Sequence, residues 1–291
     1  MTGAPETIEI IARLAAEMNG EPATPSTTAP QHFLARILYE DTHVLVADKP
    51  AGVVTHPAYK HPDGTLCDAI FARQAARGET RPWLLHRLDR ETSGVIVFAK
   101  TEAARRALVR QFEKHIIHKQ YLALAEGALP ATTGEITAPL RRDPLDRRRV
   151  IVDAGGQAAY TRYHVIGYTD APAPTRIAAD AGEMMKPEAR GYTLALVEPL
   201  TGRTHQIRAH FAAVGTPLAG DTRYGSVTPA LLARRAMLHA WRIGFRYPTT
   251  GTPFTVTAPP PLDLLTLLQQ IGLADCLNTI TTLFREEHPC D

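Results

Sequence analysis

The 291-residue sequence predicts an α+β fold with a largely antiparallel sheet. Segments with the two-residue alternation of strands outnumber those with helical periodicity, and they come in runs instead of alternating one-for-one with helices. A hydrophobic content of 44% beside 21% charged residues supplies enough apolar side chain for a substantial core.

Taken in order, residues 1–30 join a short amphipathic helical pattern (Ile8, Ile10, Ile11, Leu14, Met18) to a Pro-, Thr- and Ala-rich run. A flexible N-terminal extension over 1–35 is expected, its character changing near Gln31, followed by a globular domain over 36–291. Strand-like patterns at 37–39 and 44–47 meet the turn Lys49-Pro50-Ala51-Gly52 before Val53 and Val54 resume the alternation, which predicts a hairpin. Helices are expected over 65–77, 102–114 and 263–283, and strands over 94–100, 120–126, 160–167, 192–197 and 241–246. Residues 169–190, rich in Ala, Pro, Asp and Glu, exceed the usual length of an ordered connection and are expected to be a mobile insertion. Residues 262–291 are expected to form a C-terminal helical extension.

The three cysteines, Cys67, Cys276 and Cys290, are widely spaced, odd in number and without a C-x-x-C pair, which favours a reduced cytoplasmic setting and no zinc site. The first residues lack the pattern of a secretory signal, and no apolar run approaches the roughly 18 residues of a spanning helix, so no membrane partner is expected. The net charge of +2 is uninformative, but its distribution is not. One basic stripe runs from Arg73 to Lys119 and includes Arg87 and Arg90; a second gathers Arg141, Arg142, Arg147, Arg148 and Arg149. Such stripes attract a polyanion over about 10 Å in physiological salt, though ordinary solvated charge gives the same pattern.

Two polar clusters interrupt apolar strands. In His86-Arg87-Leu88-Asp89-Arg90-Glu91-Thr92-Ser93-Gly94, an acid sits on a turn between apolar segments, flanked by two guanidiniums and two hydroxyls. This reads either as a carboxylate facing a cleft or as an ion-paired turn in which Asp89 neutralises Arg87 or Arg90. In the second, Gly202-Arg203-Thr204-His205-Gln206-Ile207-Arg208-Ala209-His210, the two arginines from Arg203 to Arg208 and the two histidines have the chemistry to bind phosphate and base edges. The same stretch reads as a helix start with Thr204 as cap and Ile207 and Phe211 toward the core.

Residues 86–94 match the H-R-L-D-x-x-T-S-G signature at every defined position, and the chain thereby resembles the RluA family of RNA pseudouridine synthases. Four further segments agree in order: 38–57 with the family's opening motif, His118-Lys119-Gln120-Tyr121-Leu122-Ala123 with its tyrosine motif, 202–210, and Gly220-Asp221-Thr222-Arg223-Tyr224-Gly225. The resemblance covers roughly residues 36–257. Many relatives carry an S4-type RNA-binding domain ahead of the catalytic one, for which about 35 residues are too few, so RNA contact is expected from the catalytic domain itself.

The resemblance implies the pseudouridine synthase fold, with a central catalytic cleft in a mixed, largely antiparallel sheet flanked by helices and loops. It implies isomerisation of a flipped-out loop uridine in structured ribosomal or transfer RNA, by a protein that needs no metal or organic cofactor and is expected to act as a monomer. Asp89 is implied as the essential carboxylate, attacking the uracil ring or the ribose C1′. Arg208 is implied as its ion-pair partner, and Tyr121 as the ring against the target base and a candidate proton acceptor. Arg87 falls where relatives fill the space left by the flipped base. Together with Arg90, Arg203, His205, Lys119, Arg141 and Arg142 it makes up the expected RNA-binding set. An inactive RNA-binding module would be expected to lack Asp89, Tyr121 or Arg208, and all three are present. A methyltransferase glycine loop or a deaminase H-x-E with P-C-x-x-C is missing from the sequence.

Overall fold

A computed structural model of the chain describes residues 35–58, 62–170, 191–226 and 233–278. The helical pattern before residue 20, nearly all of the 169–190 insertion and the end of the expected C-terminal helix lie outside the described residues.

Twelve strands and four α-helices make up the described part: β1 (Arg36–Glu40), β2 (Val44–Lys49), α1 (Leu66–Ala76), β3 (Trp83–Leu84), β4 (Ser93–Ala99), α2 (Glu102–Glu113), β5 (His118–Glu126), β6 (Thr133–Thr137), β7 (Leu140–Arg142), β8 (Val150–Val152), β9 (Tyr160–Thr169), β10 (Tyr192–Pro199), α3 (Gln206–Ala213), β11 (Leu238–Arg246), β12 (Pro253–Thr257) and α4 (Leu262–Gln270). Ten strands form one sheet in the order β1-β2-β4-β11-β5-β10-β9-β6, with β12 on β11 and β3 on β4, while β7 and β8 form a separate hairpin. Only β4 and β11 run parallel; every other pairing in the sheet is antiparallel. The hairpin lies one turn earlier than expected: β1 pairs with β2 across a turn at Asp41, whose carboxylate accepts from the backbone N–H groups of His43 and Val44, while the turn at 49–52 joins no strand at 53–54.

The two-residue alternation explains how one strand serves two cores. On β5, Leu122 and Leu124 pack with Leu264, Leu267 and Leu268 of α4, whereas Ala123 and Ala125 pack with Ile207 and Phe211 of α3. On β4, Val95 and Val97 meet Leu108 of α2, and Ile96 and Phe98 meet Leu66 and Ile70 of α1. Central strands covered on both faces therefore read as continuous apolar runs. Helix α1 begins at a capping box between Thr65 and Asp68, and α2 at Thr101, whose hydroxyl accepts from Ala104 N–H. The expected helix over 263–283 stops at Gln270, where Ile271 leaves helical geometry and Gly272 takes a φ of +76°.

Candidate active site

Asp89 lies on the turn between β3 and β4, and four successive carbonyls of that turn, those of residues 88–91, each have a donor. Thr55 Oγ1 donates to Leu88 O (2.8 Å), Thr92 N–H to Asp89 O (3.1 Å), and Gly52 N–H and Lys49 Nζ to Arg90 O (2.9 and 3.0 Å). Arg235 Nη1 donates to Glu91 O (3.0 Å). Two buried cations from different parts of the chain thus grip neighbouring carbonyls beside the acid. Lys49 also donates to Pro50 O and Val53 O, and burial pushes its ammonium down to about 7. Arg235 ties the turn to α4 through a two-pronged ion pair with Asp263 (2.6 and 2.9 Å). Neither role was visible in the sequence: Lys49 read as part of a turn, and Arg235 lies in no motif.

Helix α3 brings the second cluster to the first. Its N-cap is His205, with a left-handed φ of +51° and no side-chain cap bond, and Thr204, the expected cap, instead accepts from Arg87 Nη2 at 3.1 Å. The loop ahead of α3 is held by Gln206, whose Oε1 accepts from Thr201 Oγ1 and Arg203 N–H and whose Nε2 donates to Tyr160 O and Thr161 Oγ1. A glutamine is needed because only an amide both accepts twice and donates twice. Arg208, one turn on, aims Nη1 at Asp89 Oδ2 (3.4 Å) while Nε and Nη2 grip Asp221 at 2.6 and 2.7 Å. Burial alone would push the Arg208 guanidinium down, but Asp221, followed by Asp89, outweighs it and holds the group above its ordinary value.

Tyr224 completes the constellation. Arg208 lies over its ring, 5.1 Å from the centroid, and its hydroxyl takes the Val150 N–H (2.9 Å) and meets His205 Nδ1 (2.9 Å). Since the backbone N–H must donate, a Tyr224 hydroxyl that donates to Nδ1 satisfies both groups. The imidazole proton then sits on Nε2, which faces Asp89 Oδ2 at 3.8 Å. Burial lowers the His205 imidazole against the pull of Asp89, so the ring is neutral at pH 7.

A cleft of about 290 Å³ opens over this arrangement. Asp89, Tyr121, Arg208, Arg87, Lys119, Arg203 and His205 line it; Arg90, Arg141 and Arg142 do not. Asp89 keeps 23% of its side chain exposed, whereas Arg208 keeps 7%. The ion-paired-turn alternative is thereby settled: the partner of Asp89 is Arg208, Arg90 sits 3.7 Å from Glu91, and Arg87 meets Thr204. Tyr121 packs partly into the core beneath the cleft, and burial, then the Asp89 charge, raise its phenol well above the usual range. Lys119 is pushed down to about 8 by burial and reaches Thr201 O at 3.4 Å.

One expectation is corrected. His210 cannot reach RNA, because it is fully buried with Nδ1 on Thr161 Oγ1 and Nε2 on Ala138 O, both 2.9 Å. The imidazole of His86 is likewise a structural group: its Nε2 accepts the Val97 N–H at 3.1 Å, and burial pushes it down to about 3. Arg141 is paired with Asp153 at 2.9 Å, and Arg142 is exposed.

Residues 43–213 match the RNA pseudouridylate synthase family. The chain belongs to it. The synthase is 38% identical over 261 residues to the ribosomal large subunit pseudouridine synthase D of Xanthomonas campestris, an alignment covering 85% of this chain and 72% of that protein. It is also 38% identical over 243 residues to an uncharacterised RNA pseudouridine synthase of Bacillus subtilis, covering 83% and 74%. Among solved structures, human RNA pseudouridylate synthase domain containing 1 shares the fold, with a TM-score of 0.65 at 24% identity over 92% of this chain and 100% of that one. The synthase is therefore an isomerase acting on RNA, and no helix among the described residues is long and apolar enough to cross a membrane.

Proposed function

We propose that the synthase, through a catalytic domain over residues 36–291, isomerises a loop uridine of large-subunit ribosomal RNA, with Asp89 as nucleophile, Arg208 as its fixed counter-charge and Tyr121 as the platform for the flipped base. The observation that carries this reading is a partly exposed carboxylate in a cleft, touched by a buried guanidinium through one nitrogen at 3.4 Å. Such a carboxylate is charged and aimed yet keeps lone pairs for a covalent bond. The ribosomal substrate is favoured by the relatives named for it.

In the net reaction the C1′–N1 bond breaks, a C1′–C5 bond forms, the C5 proton leaves and N1 gains one. No electrons are exchanged with another molecule, so the proposed chemistry needs no cofactor. Asp89 bonds either the uracil ring or C1′; both routes consume its negative charge. That loss bears on Tyr121, whose phenolate is opposed by burial and by Asp89. Once Asp89 is esterified or added to the ring, one of those two oppositions is gone, and the phenolate, formed when the phenol passes its own proton to solvent and able then to take up the C5 proton, becomes easier to reach at the step that needs a base. Flipping the target out of a loop costs roughly a few kcal/mol, which RNA contacts by Arg87, Arg203, Lys119 and His205 in the cleft, with Arg90, Arg141 and Arg142 outside it, would offset. We propose that it acts as a cytoplasmic monomer.

The test is a map of pseudouridine in total RNA from cells with the gene, without it, and with Asp89→Asn in its place. Loss of a large-subunit site in the last two supports the reading. A lost transfer-RNA site moves the substrate, and an unchanged map removes the reading altogether.

A further inference from the structure

The β7–β8 hairpin carries a run of arginines that differ sharply in their pairing. Arg141 is paired with Asp153 (2.9 Å), and Arg148 grips Asp146 with Nε and Nη2 (2.8 and 3.1 Å). Arg142 and Arg147 are exposed, with no side-chain partner among the described residues to fix them. Arg149 and Arg223 are different again. Neither has a carboxylate within ion-pair distance among the described residues, yet both are held in place. The Arg149 guanidinium lies over the Tyr224 ring, 5.4 Å from its centroid, and its Nε is buried with no acceptor. Arg223, next to Tyr224 in the chain, fixes itself by donating from Nη1 to Arg148 O (3.2 Å) and is otherwise exposed.

Two guanidiniums, of Arg149 and Arg208, therefore lie over the Tyr224 ring, and Arg223, its neighbour in the chain, is anchored on Arg148 O; of the three, only Arg208 has carboxylates within ion-pair distance among the described residues, those of Asp221 and Asp89. Arg223 is anchored on the carbonyl of the residue that precedes Arg149, so the two bring to one end of the hairpin positive charge that a bound anion offsets. Two rigid, planar forks are the donor set that suits a phosphate. We infer that Arg149 and Arg223 form a subsite beside Tyr224 for a backbone phosphate of the RNA strand next to the target nucleotide. The inference rests on the RNA reading above and goes beyond it in naming where the strand leaves the cleft. Tyr224 connects the subsite to the reacting carboxylate, since its hydroxyl bonds His205, which faces Asp89.

The comparison variant is Arg148→Met, which removes the same charge from the same hairpin but from an arginine already neutralised by Asp146. Affinity for an unmodified transcript of large-subunit ribosomal RNA is measured against salt concentration for the wild type, Arg148→Met, Arg149→Met, Arg223→Met and Arg149→Lys. Removing the partner of one phosphate lowers the slope of log affinity against log salt by about 0.7 for single-stranded RNA. That decrement is expected in Arg149→Met and in Arg223→Met, with KM raised several-fold, and is not expected in Arg148→Met. Arg149→Lys keeps the charge and is expected to keep the slope, so the inference stays testable if Arg149→Met does not fold. Equal decrements in all three Met variants mean a diffuse positive field and overturn the subsite, as does an unchanged slope in both Arg149→Met and Arg223→Met. Uridine conversion by the wild-type preparation, followed in parallel, separates this failure from failure of the RNA reading.

Discussion

Arg208 gives its two-pronged face to Asp221, at 2.6 and 2.7 Å, and only a single nitrogen, at 3.4 Å, to Asp89. The counter-charge of the proposed nucleophile is thus already neutralised by a second, fully buried acid. This division of labour keeps the guanidinium immobile and leaves Asp89 uncommitted, where a two-pronged pair would have occupied both of its oxygens. In Asp221→Asn the fork loses its charged anchor and turns toward Asp89. Turnover is expected to fall by about 10²-fold, the scale of a misplacement of about 1 Å, with little change in KM. Breaking a buried pair also costs on the order of 3 kcal/mol of stability. Steady-state kinetics beside urea denaturation check both; a rise in KM with turnover intact would contradict the positioning role.

Gly94, the second residue of β4, has a φ of +112°, and a Cβ there would stand 2.1 Å from Ala240 O. The parallel pairing of Ser93 with His239 and Gly94 with Ala240 draws β11 this close to the end of the Asp89 turn. Gly94→Ala is expected to cost several kcal/mol, because backbone must move and the dihedral is unfavourable for a side chain. At Gly225, with a φ of +97° and nothing within 4 Å, alanine is expected to cost about 1 kcal/mol. Thermal melts of the two variants give the comparison, and similar losses would mean that dihedral strain and not steric overlap sets the cost.

The sheet-forming core was legible because central strands such as residues 94–99 are continuously apolar; the polar clusters marked the neighbourhoods of Asp89 and Arg208 but left their reading open, and only the family resemblance pointed to the two residues themselves. Apart from the Asp89–Arg208 pair that the resemblance implies, partnerships across the chain left no local signal. Asp221 lies 13 positions from Arg208, Arg235 lies 144 from Glu91, and nothing local in either segment encodes the match. Strands β6, β7, β8 and β12 escaped notice because they are short, with only alternate residues buried or a single buried one. The cap of α3 was misread for a physical reason: Thr204 has the right chemistry, but its hydroxyl is taken by Arg87.

The Arg235–Asp263 pair fastens the Asp89 turn to α4, and it should be visible in acid. Burial pushes the Asp263 carboxyl up, but the hydrogen bonds and charge of Arg235 outweigh it and leave it below its ordinary value. As pH falls, the unfolded chain takes up this proton first, near about 3.9. The stabilisation is therefore fully present above about pH 4 and is lost as pH falls through the folded value. Asp263→Asn is expected to be less stable than the wild type at pH 7, with the difference shrinking below about pH 4. Urea denaturation across that window checks it, and a gap that does not narrow would mean that charge is not what the pair contributes.

His205 holds a left-handed backbone that only a few side chains accept, and its Nε2 faces Asp89 at 3.8 Å. Strain at such a position is sustained when the side chain has a task, and here the ring is kept neutral beside an acid, chiefly by burial. Above its depressed pKa the imidazole offers Asp89 a dipole; as pH falls through that value it becomes a cation that pairs with the carboxylate and blunts its reactivity. The kcat/KM of the wild type is therefore expected to fall on the acid side, below the ordinary imidazole value of about 6.5, at the point where the imidazole charges. Asparagine tolerates the left-handed conformation and does not titrate, so His205→Asn is expected to fold and to lose this limb while turning over more slowly at pH 7. A pH profile of His205→Asn that keeps the limb unchanged would assign the titration to another group and leave His205 as a packing residue between Tyr224 and the cleft.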